Sequence, residues 1–171
     1  TTCASGETYA VGRLTRMQDG SGSTDYCYDR FGDLVRKVQT TNGKVFVVRY
    51  AYTKAGQFSR LTYPDGAVVD YVRNAEGQTT EVGVTPPGGT RQVLLNQATY
   101  YPFGPVAGWT YGNGRPMQRV LDQDYRPLAV NDPRSDGLAV GFAFDPVGNL
   151  SALTAPGNTA PVIKLDYDPL G

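Results

Sequence analysis

Aspartate recurs at a regular position in the sequence, and its carboxylate is a group that could do acid–base chemistry. Asp29, Asp122, Asp145 and Asp168 each stand three residues before a glycine or a tyrosine. Catalysis by carboxylates needs a close pair whose pKa values are shifted apart. A residue that returns in every repeat has a simpler role, because its side chain can cap a turn by bonding its own backbone. We therefore interpret these aspartates as turn caps and expect no catalytic residue and no enzyme activity in this chain.

Other chemistry is limited by what the sequence lacks. There is no histidine among the 171 residues, which removes histidine general bases, catalytic triads and histidine metal ligands. The stretches DGSGSTD at 19–25 and DQD at 122–124 are rich in oxygen ligands. Neither has the alternating ligands and final glutamate of an EF-hand loop, so both are interpreted as solvated turns. We predict no metal and no cofactor.

The cysteines Cys3 and Cys27 are the only two in the chain. Two thiols without histidine cannot complete a zinc site, which takes about four ligands. A disulfide would fit an extracellular protein, and two free thiols would fit a reducing compartment. The sequence leaves both alternatives open.

Two further patches could bind a partner. Six basic residues lie among tyrosines between Arg36 and Arg60, and such a surface can bind single-stranded nucleic acid. The chain as a whole has 16 basic and 16 acidic residues, so no long-range attraction favours nucleic acid, and we expect none as a partner. The aromatic group around Trp109 could stack on sugars, but we predict packing across a sheet. Its other members are Tyr100, Tyr101, Phe103 and Tyr111.

The recurring aspartates belong to a longer phrase: aromatic, any residue, aromatic, Asp, two free positions, Gly. We call the position of the final glycine the closing slot. The slots are separated by 20 to 27 residues, a spacing typical of a repeat architecture in which each repeat is one supersecondary unit. They fall at Gly12, Gly32, Gly56, Gly77, Gly104, Tyr125, Gly148 and Gly171.

The phrase predicts a β-hairpin corner. A short polar side chain three residues before the slot can bond a backbone N–H of the turn, and glycine at the slot takes positive φ cheaply. The aromatic residues before the turn share one strand face, and an apolar residue two after the slot can pair across with them. The predicted corner residues are Tyr28, Asp29, Gly32, Tyr52, Thr53, Gly56, Asn74, Gly77, Tyr100, Gly104, Asp122, Phe144, Asp145, Gly148, Tyr167, Asp168 and Gly171.

A second set of Gly-, Pro- and Asn-rich turns lies about halfway between the slots. Each repeat then reads strand, corner, strand, turn, which predicts an all-β fold of about fifteen strands in a long antiparallel meander. The chain reads as a single array over 1–171 of about seven repeats, an internal fragment of a longer protein. The stretch VTPPGGTRQVLLNQAT (84–99) reads as a longer loop within it. Tyr28, Tyr52, Phe144 and Tyr167 are expected on one face and well buried. A bulky residue avoids positive φ, so the turn at Tyr125 is expected to differ.

The stretches YAVGRLTRMQDGSGSTDYCYDRFG (9–32) and YYPFGPVAGWTYGNGRPMQRVLDQDYRPL (100–128) resemble the RHS/YD-repeat family. The resemblance covers nearly the whole chain, because several positions recur in step. It implies an antiparallel sheet that curls as part of a spiral shell. Members of the family include bacterial polymorphic toxins, insecticidal toxin complexes, wall-associated proteins and teneurins. In the bacterial toxins the shell encloses a C-terminal toxic domain.

The resemblance implies a structural shell segment that encloses and carries a toxic passenger. The expected partners are flanking repeats of the same chain or other copies, joined through sheet edges, and the enclosed toxin domain. We expect a secreted or cell-surface protein exported by a bacterium, with no membrane insertion by this segment, since no apolar run approaches the length of about 18 residues that a membrane helix needs. The alternative is a cell-surface or filamentous adhesion module built from the same repeats.

Overall fold

The computed structural model describes residues 2–155 and 160–168 of the chain. Fourteen strands and no helix occur among these residues, and each strand is antiparallel to the next within its unit. The all-β antiparallel meander predicted from the repeat is therefore confirmed. The chain divides into two compact units, Thr1–Val93 and Leu94–Gly171.

The first unit holds seven strands in sequence order, each hydrogen-bonded to the next. Their period-two patterns, such as that of KVFVVRYAY at 44–52, place alternate residues on opposite faces. The strands are β1 (Arg16–Asp19), β2 (Gly22–Tyr28), β3 (Leu34–Thr41), β4 (Lys44–Tyr52), β5 (Phe58–Thr62), β6 (Val68–Arg73) and β7 (Thr79–Thr85).

The second unit continues the pattern, and its first strand begins two residues before the division. Its strands are also paired in sequence order. They are β8 (Gln92–Tyr100), β9 (Val106–Tyr111), β10 (Pro116–Leu121), β11 (Pro127–Asn131), β12 (Ala139–Phe144), β13 (Leu150–Thr154) and β14 (Pro161–Lys164).

The prediction of a longer loop over 84–99 is wrong. Most of this stretch belongs to strands β7 and β8, and a tight turn at 86–89 separates them, closed by a bond from the Gly89 N–H to the Pro86 carbonyl (3.0 Å). The glycines and prolines of this stretch are confined to the turn, and the apolar residues after it have the β-branched and aliphatic character of a strand.

Burial is shallow in both units. Among the described residues, the buried apolar side chains are Cys27, Val38 and Ala98, whereas an ordinary domain encloses a contiguous core. The aromatic residues four before the slots were expected to be well buried, and this expectation is wrong. Tyr28, Tyr52 and Phe144 are half-buried, and Tyr167 is 49% exposed. Their rings lie on a sheet surface without a second layer above it.

Candidate functional site: the row of repeat corners

The turn at Gly12 is closed by a bond from the Arg13 N–H to the Ala10 carbonyl (2.9 Å), but the next six corners have a common pair of backbone bonds. At the first of them, the Gly32 N–H donates to the Asp29 carbonyl (3.0 Å), and the Asp29 N–H donates to the carbonyl of Asp33 (3.0 Å). This pair of bonds recurs at 53–56, 74–77, 101–104, 122–125 and 145–148. In each of these hairpins the register shifts between the residues five and four before the slot, because the outgoing strand has one extra residue opposite them. The corner is thus a turn closed by a residue with positive φ and followed by a bulge, as at Gly148 (φ 94°).

The side chain three before the slot caps the turn. Asp29 Oδ1 accepts the N–H groups of Phe31 (2.9 Å) and Asp33 (3.0 Å). The equivalent bonds to Asp145 are 3.0 and 2.8 Å, and those to Asp122 are 2.9 and 2.8 Å. Thr53 accepts in the same way through its hydroxyl, and the Asn74 amide oxygen accepts the N–H of Gln78. One acceptor oxygen is all that the position requires, which explains why Asp, Asn and Thr share it.

At Asp122 and Asp145 these bonds favour the ionised carboxylate. The pKa of Asp122 is lowered, first by the N–H of Arg126 and further by the Arg126 guanidinium and the N–H of Asp124. Desolvation opposes ionisation of Asp145, but the N–H and amide groups of Asn149 outweigh it, so the pKa of that carboxyl is also lowered. A carboxylate with a lowered pKa is an acceptor and a poor general acid at neutral pH.

In several repeats the residue four before the slot donates a side-chain hydrogen bond to the preceding repeat, whereas Leu121 and Phe144 at the same position have no donor group. Tyr52 donates its hydroxyl to the Leu34 carbonyl (3.0 Å), and Leu34 stands two residues after the preceding slot. Tyr28 bonds the Leu14 carbonyl in the same way (2.9 Å), and Tyr167 bonds that of Leu150 (2.9 Å). We call these contacts repeat staples.

An arginine replaces tyrosine in one staple. At Arg73 the Nη2 group donates to the Phe58 carbonyl (2.7 Å), again two residues after the preceding slot. The same guanidinium bonds the Gly77 carbonyl (3.2 Å) and the Thr79 hydroxyl (2.7 Å) of its own corner. Sequence reasoning treated this position as an aromatic packing site and missed its donor role. The signal was available, because Arg and Tyr share a long reach and a terminal donor.

Two neighbouring corners have positive φ at an aromatic residue instead of at glycine. The turn at Tyr125 was predicted to differ, but it keeps the common hydrogen bonds with Tyr125 at φ 63°. The corner at 101–104 departs instead, since positive φ falls on Phe103 (57°) and not on Gly104. The prediction for Tyr125 was wrong because its left-handed backbone is compensated: the Tyr125 hydroxyl donates to the Pro102 carbonyl, and the ring lies where a side chain on Gly104 would stand.

The remaining predicted corner residues are placed as follows. Tyr100 ends β8 and is the Cα partner of Val106, and Phe144 ends β12 opposite Leu150. Asp168 follows the last strand, and Gly171 lies outside the described residues. Cys3 and Cys27 are joined by a disulfide.

The two patches that could bind a partner do not form separate sites. Arg36 and Lys37 are neighbours in β3 and therefore point to opposite faces, so the basic stretch is divided between the two sides of the sheet. Trp109 packs edge-to-face on Tyr111 at 5.7 Å between ring centres.

The oxygen-rich stretch at 19–25 is a turn closed on itself. Asp19 accepts bonds from Ser21 and Gly22, and those from Ser21 principally lower its pKa. Within the described part of the chain, no three metal-ligating side chains lie together.

The sheet faces also carry ion pairs between strands. Arg91 binds Asp70 of β6 and Glu81 of β7, with both closest N–O distances at 2.7 Å. The bond from Arg91 lowers the pKa of Asp70. In the second unit, Arg115 joins the buried Asp132 (2.7 Å) to the exposed Asp136 (3.2 Å). Each of these two arginines is therefore ion-paired with two acidic side chains.

Solved structures share this fold. No protein-family model and no curated protein sequence matches the chain. A TcdB2-TccC3 complex superposes with a TM-score of 0.78 at 16% identity over 86% of the chain, and the same complex without its hypervariable C-terminal region gives 0.78 at 17% over 87%. The Tc holotoxin pore of Photorhabdus luminescens gives 0.76 at 16% over 86%.

The chain spans 8% of the length of each of these toxin chains. The likeness therefore establishes the fold of the repeat array. It agrees with the resemblance of the sequence to the RHS/YD-repeat family, in which toxin complexes were expected among the members. Within residues 2–155 and 160–168, nothing forms a helix that could cross a bilayer.

Proposed function

We propose that the chain is a wall segment of an RHS-type shell that encloses and carries a toxic passenger. The observation that carries the proposal is the repeat staple, because it joins successive hairpins through side chains at one fixed position of the repeat. A wall must extend by adding similar repeats, and each staple connects a corner to the repeat before it. The fold shared with the Tc toxin structures supports this reading.

The shallow burial supports a wall rather than a free-standing domain. Most apolar side chains are half-buried on a single sheet, so further repeats or an enclosed polypeptide are needed to cover them. The proposed partners are accordingly flanking repeats or other copies, and a toxin domain inside the shell. Nucleic acid and membrane insertion have no place in this proposal, and the protein would act after export from a bacterium, secreted or at the cell surface.

The proposal includes no covalent chemistry within this chain. Its recurring carboxylates accept backbone N–H groups, and the pKa values of Asp122 and Asp145 are lowered by those bonds. If the complete protein has an activity, we expect Asp29→Asn and Asp145→Asn to leave it unchanged at equal protein concentration.

An adhesion module is the second candidate, and one observation favours it. Corner tips present large apolar side chains directly to solvent: Val11, Phe31, Phe103 and Val147 are each at least 73% exposed. Exposed apolar groups at loop tips are typical of surfaces that bind other molecules.

Protease protection distinguishes the two candidates. The complete protein containing this chain would be digested with trypsin and its peptides followed by mass spectrometry. A shell predicts that the passenger region resists cleavage until the repeats are unfolded by denaturant. An adhesin predicts that every region outside the repeats is cleaved at the same rate in the folded and the denaturant-treated protein.

A further inference from the structure

Two arginines of the first unit face each other directly. Arg36 of β3 and Arg49 of β4 are Cα partners in neighbouring strands, so their side chains project from the same face. Like charges at directly opposed positions destabilise a strand pair. The pairing therefore needs an anion between or beside the two guanidinium groups.

Glu7 supplies that anion from outside the sheet. Its Oε1 atom lies 2.7 Å from Arg36 Nη2 and 3.8 Å from Arg49 Nη1. Arg36 is well covered, with 14% of its side chain exposed, whereas Arg49 is 51% exposed. The Nε atom of Arg36 is buried without a hydrogen-bond partner. Glu7 thus satisfies the arginine pair only in part.

Within the described residues, the hydrogen-bond partners of the Arg36 guanidinium come from one short segment, 2–7. Besides Glu7, its Nη1 group donates to the Thr2 carbonyl (3.3 Å). The segment is held by the disulfide from Cys3 to the fully buried Cys27, and by backbone bonds between Glu7, Tyr9 and Tyr28. A cleft of about 320 Å³ lined by Cys3, Glu7 and Arg16 opens beside it. Solvent and small solutes can therefore reach the carboxylate that covers the arginines.

We propose that Arg36 and Arg49 form a latent binding site for a small oxyanion, which Glu7 occupies while the disulfide is intact. Guanidinium groups bind phosphate and carboxylate through parallel N–H donors, and the Glu7 carboxylate stands in for that ligand. Reduction frees the Cys3 end of the segment. A dithiol reductant supplies two electrons and two protons, the S–S bond is replaced by two thiols, and the reductant becomes a disulfide. The local concentration of Glu7 at the arginines then falls, and an external oxyanion competes with it more easily.

The test is isothermal titration calorimetry of the full 171-residue chain. Inorganic phosphate and succinate are titrated in separate experiments. Four proteins are compared: oxidised wild type, wild type reduced with dithiothreitol, oxidised Glu7→Gln, and oxidised Glu7→Gln/Arg49→Gln. Glu76→Gln, at the exposed corner 74–77, is the matched control for loss of one glutamate. The two ligands distinguish a phosphate site from a carboxylate site.

We expect at least tenfold tighter binding of one ligand to Glu7→Gln than to oxidised wild type, and loss of that gain when Arg49 is also replaced. Reduced wild type should bind more tightly than oxidised wild type, and Glu76→Gln should match the latter. The reduced wild type retains every side chain, so it tests the site even if Glu7→Gln does not fold. The proposal is overturned if neither the reduced protein nor Glu7→Gln gains affinity, since Glu7 is then a structural clamp alone. It is also overturned if the gain persists without Arg49.

Discussion

At the scale of single residues, tyrosine hydroxyls add a side-chain hydrogen bond between several successive repeats, although Leu121 and Phe144 at the same position cannot make it. Phenylalanine would supply the same ring area on the sheet face, but it could not donate to the carbonyl of the preceding repeat. Tyr28, Tyr52 and Tyr167 make that bond at 2.9 to 3.0 Å. Arg73 shows that the donor matters more than the ring, because it keeps the bond without an aromatic group.

Removing one staple should lower stability by a measurable amount. We expect Tyr52→Phe to reduce the free energy of unfolding by about 0.5–1.5 kcal/mol, the net value of one hydrogen bond. The matched control is Tyr26→Phe, whose hydroxyl has only the weak thioether acceptor of Met17 at 3.8 Å. Urea denaturation of both variants measures the difference. Equal costs would show that the bond to the Leu34 carbonyl contributes nothing.

The corner carboxylates should make the fold sensitive to acid. The pKa of Asp122 is lowered in the folded chain, first by the Arg126 N–H, and lies below the unfolded value of about 3.9. Its ionised form therefore stabilises the fold above that value, and the contribution is lost as the pH falls through the folded pKa. The urea midpoint should decrease between about pH 5 and pH 3.

Asp122→Asn provides the check on this assignment, since asparagine keeps the acceptor oxygen but does not titrate. Its urea midpoint should fall less steeply over the same pH range than that of the wild type. Asp124→Asn, at an exposed position of the same corner, should reproduce the wild-type slope. A steep decrease in Asp122→Asn that matches the wild type would place the acid sensitivity elsewhere.

At the scale of the element, the corner can hold a non-glycine residue at positive φ. Positive φ at a non-glycine residue costs about 1–2 kcal/mol, yet both Tyr125 and Phe103 adopt it. Tyr125 gains a hydrogen bond to the Pro102 carbonyl and an edge-to-face contact with Tyr101 at 6.1 Å. Phe103 gains no such packing, because its side chain is fully exposed.

Phe103→Gly should therefore stabilise the protein. Glycine removes the cost of positive φ, about 1–2 kcal/mol, and offsets part of that gain through its larger unfolded-state entropy. Phe31 stands at the same position of its own corner and is 73% exposed, but without positive φ. We expect a higher thermal midpoint for Phe103→Gly and a lower one for Phe31→Gly. A decrease in both would mean that Phe103 packs on a surface that offsets its strain.

The sequence predicted the elements better than the contacts between them. The strands and corners follow from glycine, proline and period-two alternation, which act within a few residues. The staples join residues 14 to 18 positions apart, and they depend on the bulge that sets the strand register. The positive φ of Tyr125 is compensated by the contact of its side chain with the neighbouring corner at Pro102. Local rules about φ could not include it, so the expectation at Tyr125 failed.

The ion pairing of Glu7 with Arg36 and Arg49 was equally hidden. The sequence distance between Glu7 and Arg36 is 29 residues, and no repeat position relates them. The disulfide that brings the segment close was one of two open alternatives for Cys3 and Cys27. Strand alternation alone was enough to divide Arg36 from Lys37, and that division argues against a continuous basic surface.

At the scale of the whole molecule, the proposed shell requires further repeats beside those of this segment. The corners, bulges and staples repeat, and each staple depends on the repeat before it. Few apolar side chains in the described residues are fully buried, so the free energy of burial available to this chain alone is small. A longer array would add staples and cover more of the half-buried surface with each repeat, which is the expected behaviour of a repeat protein.

Electron cryomicroscopy of the complete protein that contains this chain is the most direct test of the proposed shell. A shell predicts a hollow particle whose wall is one continuous antiparallel sheet, with this segment in the wall and with additional density inside. The density inside should disappear from a variant that lacks the passenger region while the wall is preserved. A solid or rod-like particle with no enclosed density would contradict the shell and favour the adhesion module.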